Sequence, residues 1–175
     1  MTSFHPVPSA MTKEAFMTAF GGVYESSPWV ADAVWPEVTT GNADELESLQ
    51  SLMRDVIDNA GREKQMALVC AHPELAGRAA IAGEMTDESK SEQKGAGLDQ
   101  CSPEEFAEFM TLNVRYNEKF GFPFIIAVKG HDRKSILLAF RKRIENDIET
   151  EFKTALEQIH RIAAIRLSAI AEKNL

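Results

Sequence analysis

Only one stretch of this chain, Phe122-Pro123-Phe124-Ile125-Ile126-Ala127-Val128, has the unbroken apolar and β-branched character of an extended segment. A single strand has no neighbour to satisfy its backbone N–H and C=O groups, so it cannot found a sheet. The segment is therefore read as a buried extended connector, and the core must be built from helices. The remaining sequence supplies them. Residues Thr12 to Phe20 form a first amphipathic segment closed by Gly21-Gly22. Ser27-Pro28 opens a short helix through Trp35, which Pro36 is expected to stop. Asn42 is the expected N-cap of a helix to about Ala60. Leu46, Leu49, Leu52, Met53 and Ile57 recur at helical spacing on it, and Gly61 follows. Arg62 to Cys70 reads as another helix, ending before His72-Pro73.

Ser102-Pro103-Glu104-Glu105 combines an N-cap serine, a first-turn proline and a glutamate three residues after the cap. The helix it starts carries Phe106, Phe109, Met110, Val114 and Tyr116 and ends near Gly121. His131 or Asp132 begins a helix to about Ile144, and Asn146 is the expected cap of a last helix to about Lys173. No repeat, low-complexity tract or linker interrupts this order. The expectation is one all-α domain over residues 1–175, a helical bundle with short loops. A chain of 175 residues, 44% of them apolar, can bury a substantial core and is not disordered.

Several function classes are disfavoured. The apolar runs are too short to cross a membrane, and MTSFHPVPSA lacks the basic and apolar regions of a signal peptide. The ending AEKNL is not the Ser-Lys-Leu peroxisomal address, so a cytoplasmic location is expected. Cys70 and Cys101 do not make a disulfide framework and suit a reducing compartment. A formal net charge of −8 argues against nucleic-acid binding.

Acid, base and hydrogen-bonding groups concentrate in His72-Pro73-Glu74-Leu75-Ala76-Gly77-Arg78 and Ser89-Lys90-Ser91-Glu92-Gln93. Proline disfavours helical geometry in the residue before it, which sets His72 at a bend. An imidazole titrating near neutrality is a natural proton-transfer group. The plainer reading is a surface histidine at a helix end. Ser89-x-x-Glu92 has a plainer reading too, as a capping box. On a helical wheel of the last helix, Arg166 falls among Phe152, Leu156, Ile159, Ala163 and Ile170. A guanidinium facing a core needs a partner. Either it pairs with an internal carboxylate such as Glu151, or it clamps a substrate carboxylate or carbonyl.

Other signals are weaker. His72 with Glu74 and Glu92 lacks any metal-binding spacing, so no metal is expected. Cys70 reads as a core residue, and His5, His131 and His160 as surface residues. Gly95-Ala96-Gly97 reads as a helix end rather than a phosphate loop.

Taken in order, His72-Pro73-Glu74-Leu75-Ala76-Gly77, Ser89-x-x-Glu92-Gln93 with Ala96-Gly97-Leu98, Asn113-x-x-Tyr116, Phe120-Gly121-Phe122-Pro123-Phe124-Ile125, Arg143-x-x-Asn146 and Ile162-x-x-Ile165-Arg166-Leu167 resemble the 2-oxo-4-hydroxy-4-carboxy-5-ureidoimidazoline (OHCU) decarboxylase family. The resemblance spans nearly the whole chain. It implies an all-helical, usually homodimeric enzyme that carries out the last step from urate to (S)-allantoin with neither metal nor organic cofactor. It implies His72 as the catalytic histidine and Glu92 as a polar residue of its pocket, and the two are read as the catalytic pair, either of which can deliver the proton. It implies that Pro73, Ser89 and Gln93, the backbone at Ile126 and Ala127, and Arg166 bind the substrate. Glu74 stands where the family often has aspartate and Arg78 where it often has lysine, and both keep the charge. Some relatives are fused to a hydroxyisourate hydrolase domain, for which 175 residues leave no room. The competing class is an all-α signalling or interaction module, such as a histidine phosphotransfer bundle, which needs an exposed histidine in mid-helix. A purely structural helical partner is the other alternative.

Overall fold

The computed structural model describes residues 3–77 and 85–173. Among these it contains eight α-helices: α1 (Lys13–Phe20), α2 (Trp29–Val38), α3 (Leu46–Asp58), α4 (Arg62–Cys70), α5 (Asp87–Gly95), α6 (Pro103–Phe120), α7 (Arg133–Arg143) and α8 (Ile148–Lys173). No strand occurs among the described residues, where the β-type pairing is an isolated bridge between Ser3 and Glu45. The all-α expectation therefore holds. The chain divides into two compact units, Met1–Ala71 with His160–Leu175, and His72–Ile159. Each is described in turn.

The first unit packs Phe4, Phe16, Phe20, Val34, Leu49, Met53 and Ile57 into its interior. Phe20 meets Phe4 edge-on at 5.1 Å between centroids and Phe16 at 4.9 Å. Burying each such side chain stabilises the fold by about 1.5–3 kcal/mol. Helix α2 does not stop at Pro36 but runs on to Val38. Proline removes only its own N–H, and the Thr39 N–H still reaches the Trp35 carbonyl at 3.2 Å. Helix α3 starts at Leu46 with Glu45, not Asn42, at its N-cap. Glu45 is held in extended geometry by its bridge to Ser3 and by the Ser3 hydroxyl at 2.9 Å, while the Asn42 amide donates to Glu37. His160 is buried rather than on the surface. Its Nδ1 meets the Tyr24 hydroxyl at 2.8 Å and its Nε2 meets Asp58 at 3.2 Å. Both partners lie more than a hundred residues away in sequence, beyond the reach of local patterning. Cys70 is exposed, contrary to its reading as core.

In the second unit, α6 begins with the expected capping box. The Ser102 hydroxyl accepts the Glu105 N–H at 3.1 Å, and Glu105 accepts the Ser102 N–H at 2.9 Å. Gly121, at φ +76°, ends the helix in the left-handed region that glycine tolerates. Phe109, Tyr116 and Phe120 face inward, whereas Val114 is exposed. Tyr116 sits among Phe120, Phe122, Phe124 and Phe140, and Phe124 stacks on Phe140 at 3.9 Å. Phe122 to Val128 is buried throughout and irregular, as the connector reading requires. Side chains satisfy part of its backbone. Arg143 Nη1 donates to the Ile125 carbonyl at 2.7 Å, and the Ala127 N–H donates to Gln158 Oε1 at 3.0 Å.

Glu151 organises this unit. It is 0% exposed and accepts from Arg143 Nε and Nη2 (3.1 and 2.9 Å), from Asn146 Nδ2 (3.0 Å) and from the Tyr116 hydroxyl. Burial, then the Glu151 hydrogen bond and charge, push the Tyr116 phenol far above its ordinary range. Asn146 thus serves Glu151 instead of capping α8. Asp147 takes that place, accepting the Thr150 N–H at 2.9 Å.

Candidate active site

Helix α4 ends at Cys70, and Pro73 prevents its continuation, so His72 stands just past a helix terminus, 8% exposed. The loop that follows is constrained at each step. Ala76 has φ +49°, a left-handed conformation that a non-glycine residue holds only when its surroundings impose it. A Cβ on Gly77 would lie 2.6 Å from Glu74 Cβ, so only glycine allows this turn to close.

Three amide side chains impose the loop's shape. Gln93 Oε1 accepts the Ala76 N–H at 3.1 Å, and its Nε2 donates to the Glu74 carbonyl at 3.3 Å and contacts Met85 Sδ at 3.2 Å. Asn113 Nδ2 donates to the Leu75 carbonyl at 3.0 Å, and Asn117 Nδ2 to Glu74 Oε1 at 3.2 Å. Three consecutive loop residues, Glu74 to Ala76, are therefore held from α5 and α6. Arg78 lies outside the described residues.

Ser89, Glu92 and Gln93 all sit on α5. Thr86 caps this helix by accepting the Ser89 N–H at 3.3 Å. Ser89 is therefore inside the first turn and not its cap, which overturns the capping-box reading of Ser89-x-x-Glu92. The spacing i, i+3, i+4 keeps the three side chains on neighbouring faces, with Ser89 and Gln93 buried and Glu92 half-buried. Gln93 ties this helix to the His72 loop. A cavity of about 560 Å³ opens beside it, lined by Ala76, Gln93, Lys90, Lys94, Leu98 and Phe106 among others, but neither His72 nor Glu92 lines it. Ile126 and Ala127 lie buried in the connector of the same unit, with the Ala127 N–H committed to Gln158. Among the described residues, no three His, Cys, Asp or Glu side chains gather as a metal-binding group.

Arg166 belongs to the first unit and is 7% exposed. Its carboxylate partner is Glu25, at 2.9 Å from Nη2, and not Glu151. Glu151 is fully occupied by Arg143, Asn146 and Tyr116. Nη1 of Arg166 donates to the Gly22 and Val23 carbonyls at 3.2 and 3.5 Å. The buried stripe of α8 here is Ile159, Ala163, Arg166, Leu167 and Ala171, while Leu156 and Ile170 are half-buried. The wheel therefore selected Arg166 correctly and placed the stripe slightly off register.

Sequence reasoning gave no role to Glu25, Asn113 or Asn117. Of these, only Asn113 left a trace, in its spacing from Tyr116.

Comparison with known proteins matches residues 9–168 to the OHCU decarboxylase family model. The chain is 44% identical to 2-oxo-4-hydroxy-4-carboxy-5-ureidoimidazoline decarboxylase of Halalkalicoccus jeotgali, over 90% of this chain and 86% of that protein. It is 42% identical to the Haloferax volcanii protein of the same name, over 89% and 88%. Among solved structures it superposes on (S)-allantoin synthase with a TM-score of 0.74 at 27% identity, covering 93% of this chain and 52% of that one.

Proposed function

The chain belongs to the OHCU decarboxylase family, and from that premise we infer that it is a carboxy-lyase converting OHCU to (S)-allantoin and CO2 in urate degradation. The observation that carries this reading is identity of 44% spread over nearly the full length of both proteins. Residues 1–175 are taken as one decarboxylase domain.

Breaking the bond to the carboxylate leaves an electron pair on the ring carbon. The conjugated ring atoms of the substrate draw that pair in, so the reaction needs neither metal nor organic cofactor. A proton then arrives on one face. The protein must hold the carboxylate out of the ring plane, stabilise the enolate-like charge and deliver the proton from one side. His72 contacts the leaving carboxylate or the 4-hydroxyl, with Glu92 as its partner, and one of the two supplies the proton. Burial of His72 supports this role, because water is kept from the developing charge. Pro73 and Ser89 border the ring. Gln93, whose amide already serves the loop, offers the second lone pair of Oε1. The Ile126 N–H and the guanidinium of Arg166 hold ring oxygens, and the Ala127 backbone, its N–H given to Gln158, offers its carbonyl to a ring N–H. A histidine at 8% exposure beyond a helix end does not suit a phosphotransfer module.

The test is a coupled assay. Urate is oxidised and the hydroxyisourate hydrolysed enzymatically, and circular dichroism follows allantoin with and without the protein. Faster, enantiomerically pure (S)-allantoin is the expected result; a racemic product at the blank rate refutes the reading. Arg166→Met is expected to raise KM about tenfold, the worth of one charged hydrogen bond, and to lower the melting temperature by stripping Glu25 of its guanidinium. Unchanged KM and melting would remove Arg166 from both its roles. The reading extends to a cytoplasmic homodimer acting on a small molecule, with no nucleic acid or membrane. No described helix is long and apolar enough to cross a membrane, and sedimentation velocity measures the dimer.

A further inference from the structure

We propose that Asn113 is a positioning residue for the decarboxylation, acting through the Leu75 carbonyl to fix the loop that presents His72. The proposal rests on the reading of His72 as catalytic. Asn113, Tyr116 and Asn117 share one face of α6, and Asn113 is 3% exposed. Its Nδ2 donates to the Leu75 carbonyl at 3.0 Å, three residues from His72. This contact fixes the orientation of the amide, since the flipped form would set oxygen against oxygen. The cost is visible at the other end, where Asn113 Oδ1 is buried and accepts no hydrogen bond from the described residues.

A leucine would fill a similar volume without orphaning an oxygen. Packing alone therefore does not account for an asparagine here, whereas holding one carbonyl of an otherwise irregular loop does. The loop has reason to move if released, because Ala76 is held in the left-handed region. Gln93 holds the residues on either side and Asn117 holds Glu74. Loss of Asn113 thus frees the middle of the loop without detaching it, so a shift of His72 is expected rather than collapse.

The experiment uses Asn113→Asp, which keeps the shape and replaces the donor with a carboxylate oxygen, and Asn113→Leu, which removes both polar atoms. Either serves alone if the other fails to fold. Two quantities are read on protein whose helical circular dichroism is intact. One is kcat and KM in the coupled assay. The other is the imidazole Cε1–Hε1 resonance of His72, assigned by its absence from the spectrum of His72→Gln. The expected result is a kcat lowered about ten- to a hundredfold, as for displacement of a reacting group by an ångström or less, with KM changed far less. The His72 resonance shifts while those of His5, His131 and His160 stay. An unmoved His72 resonance overturns the role, since a merely structural residue would lower stability without touching it. Wild-type kcat despite a moved resonance overturns it as well. If the wild type itself makes only racemic allantoin at the blank rate, the decarboxylase reading falls and takes the catalytic role with it. The resonance shift still reports separately on the loop contact.

Discussion

His72→Ala is expected to lower turnover by about 10²–10⁴-fold, the usual contribution of a positioned proton-transfer group, while the protein stays folded. The expectation of survival rests on where His72 stands. It follows the last turn of α4, and the next residues are held through Glu74, Leu75 and Ala76 by Gln93, Asn113 and Asn117, none of which grips the imidazole in doing so. Alanine removes the ring and leaves these three grips on the loop in place. The comparison needed is kcat in the coupled assay against a thermal melt by circular dichroism. Turnover near the wild-type rate in a folded variant would take His72 out of the mechanism. Lost turnover with a lost melt would mean that the histidine holds the fold, and its catalytic role would need Glu92→Gln as a separate witness.

Glu151→Ala is expected to cost about 3–5 kcal/mol of stability, the range for breaking a buried ion pair by removing one partner. The carboxylate is fully buried and takes hydrogen bonds from Arg143, Asn146 and Tyr116. Removing it leaves the Arg143 guanidinium uncompensated in the interior, over the face of Phe124 at 4.4 Å. A loss of this size is a large part of the about 5–15 kcal/mol that keeps a domain folded. Urea denaturation reads it as a lower midpoint at unchanged slope. A midpoint shift worth less than about 1 kcal/mol would place Glu151 with ordinary surface pairs. Activity is expected to fall further than the unfolded fraction explains, because Arg143 also holds the Ile125 carbonyl beside Ile126 and Ala127.

What was legible in the sequence depended on the range of the interaction. The capping box at Ser102 and Glu105 acts over three residues and was readable directly, whereas the start of α7 was legible only as His131 or Asp132, of which Asp132 is the cap. The lone extended segment was readable because an isolated strand is excluded on hydrogen-bonding grounds. The misplaced caps at Asn42 and Asn146 had a common cause. Each side chain was drawn to another residue, Glu37 in one case and Glu151 in the other, and periodicity does not register that competition. Arg166 was found because a charge on an apolar stripe is anomalous, yet its partner Glu25 lies 141 residues away. Asn113 and Glu25 are polar residues whose partners are set by folding, so they looked ordinary. His160 was missed for the same reason.

Helix α6 bears on how variants of this protein should be compared. Through Asn113 and Asn117 it grips the loop after His72, and through Tyr116, Glu151 and Arg143 it grips the connector. Two segments that look unrelated in sequence thus hang from little more than one turn of one helix, Asn113 to Asn117. Substitutions in the loop and in the connector should therefore show epistasis, departing from additivity as residues in one network do. A neutral change at one segment can set the tolerance of the other, so the two should drift as a pair.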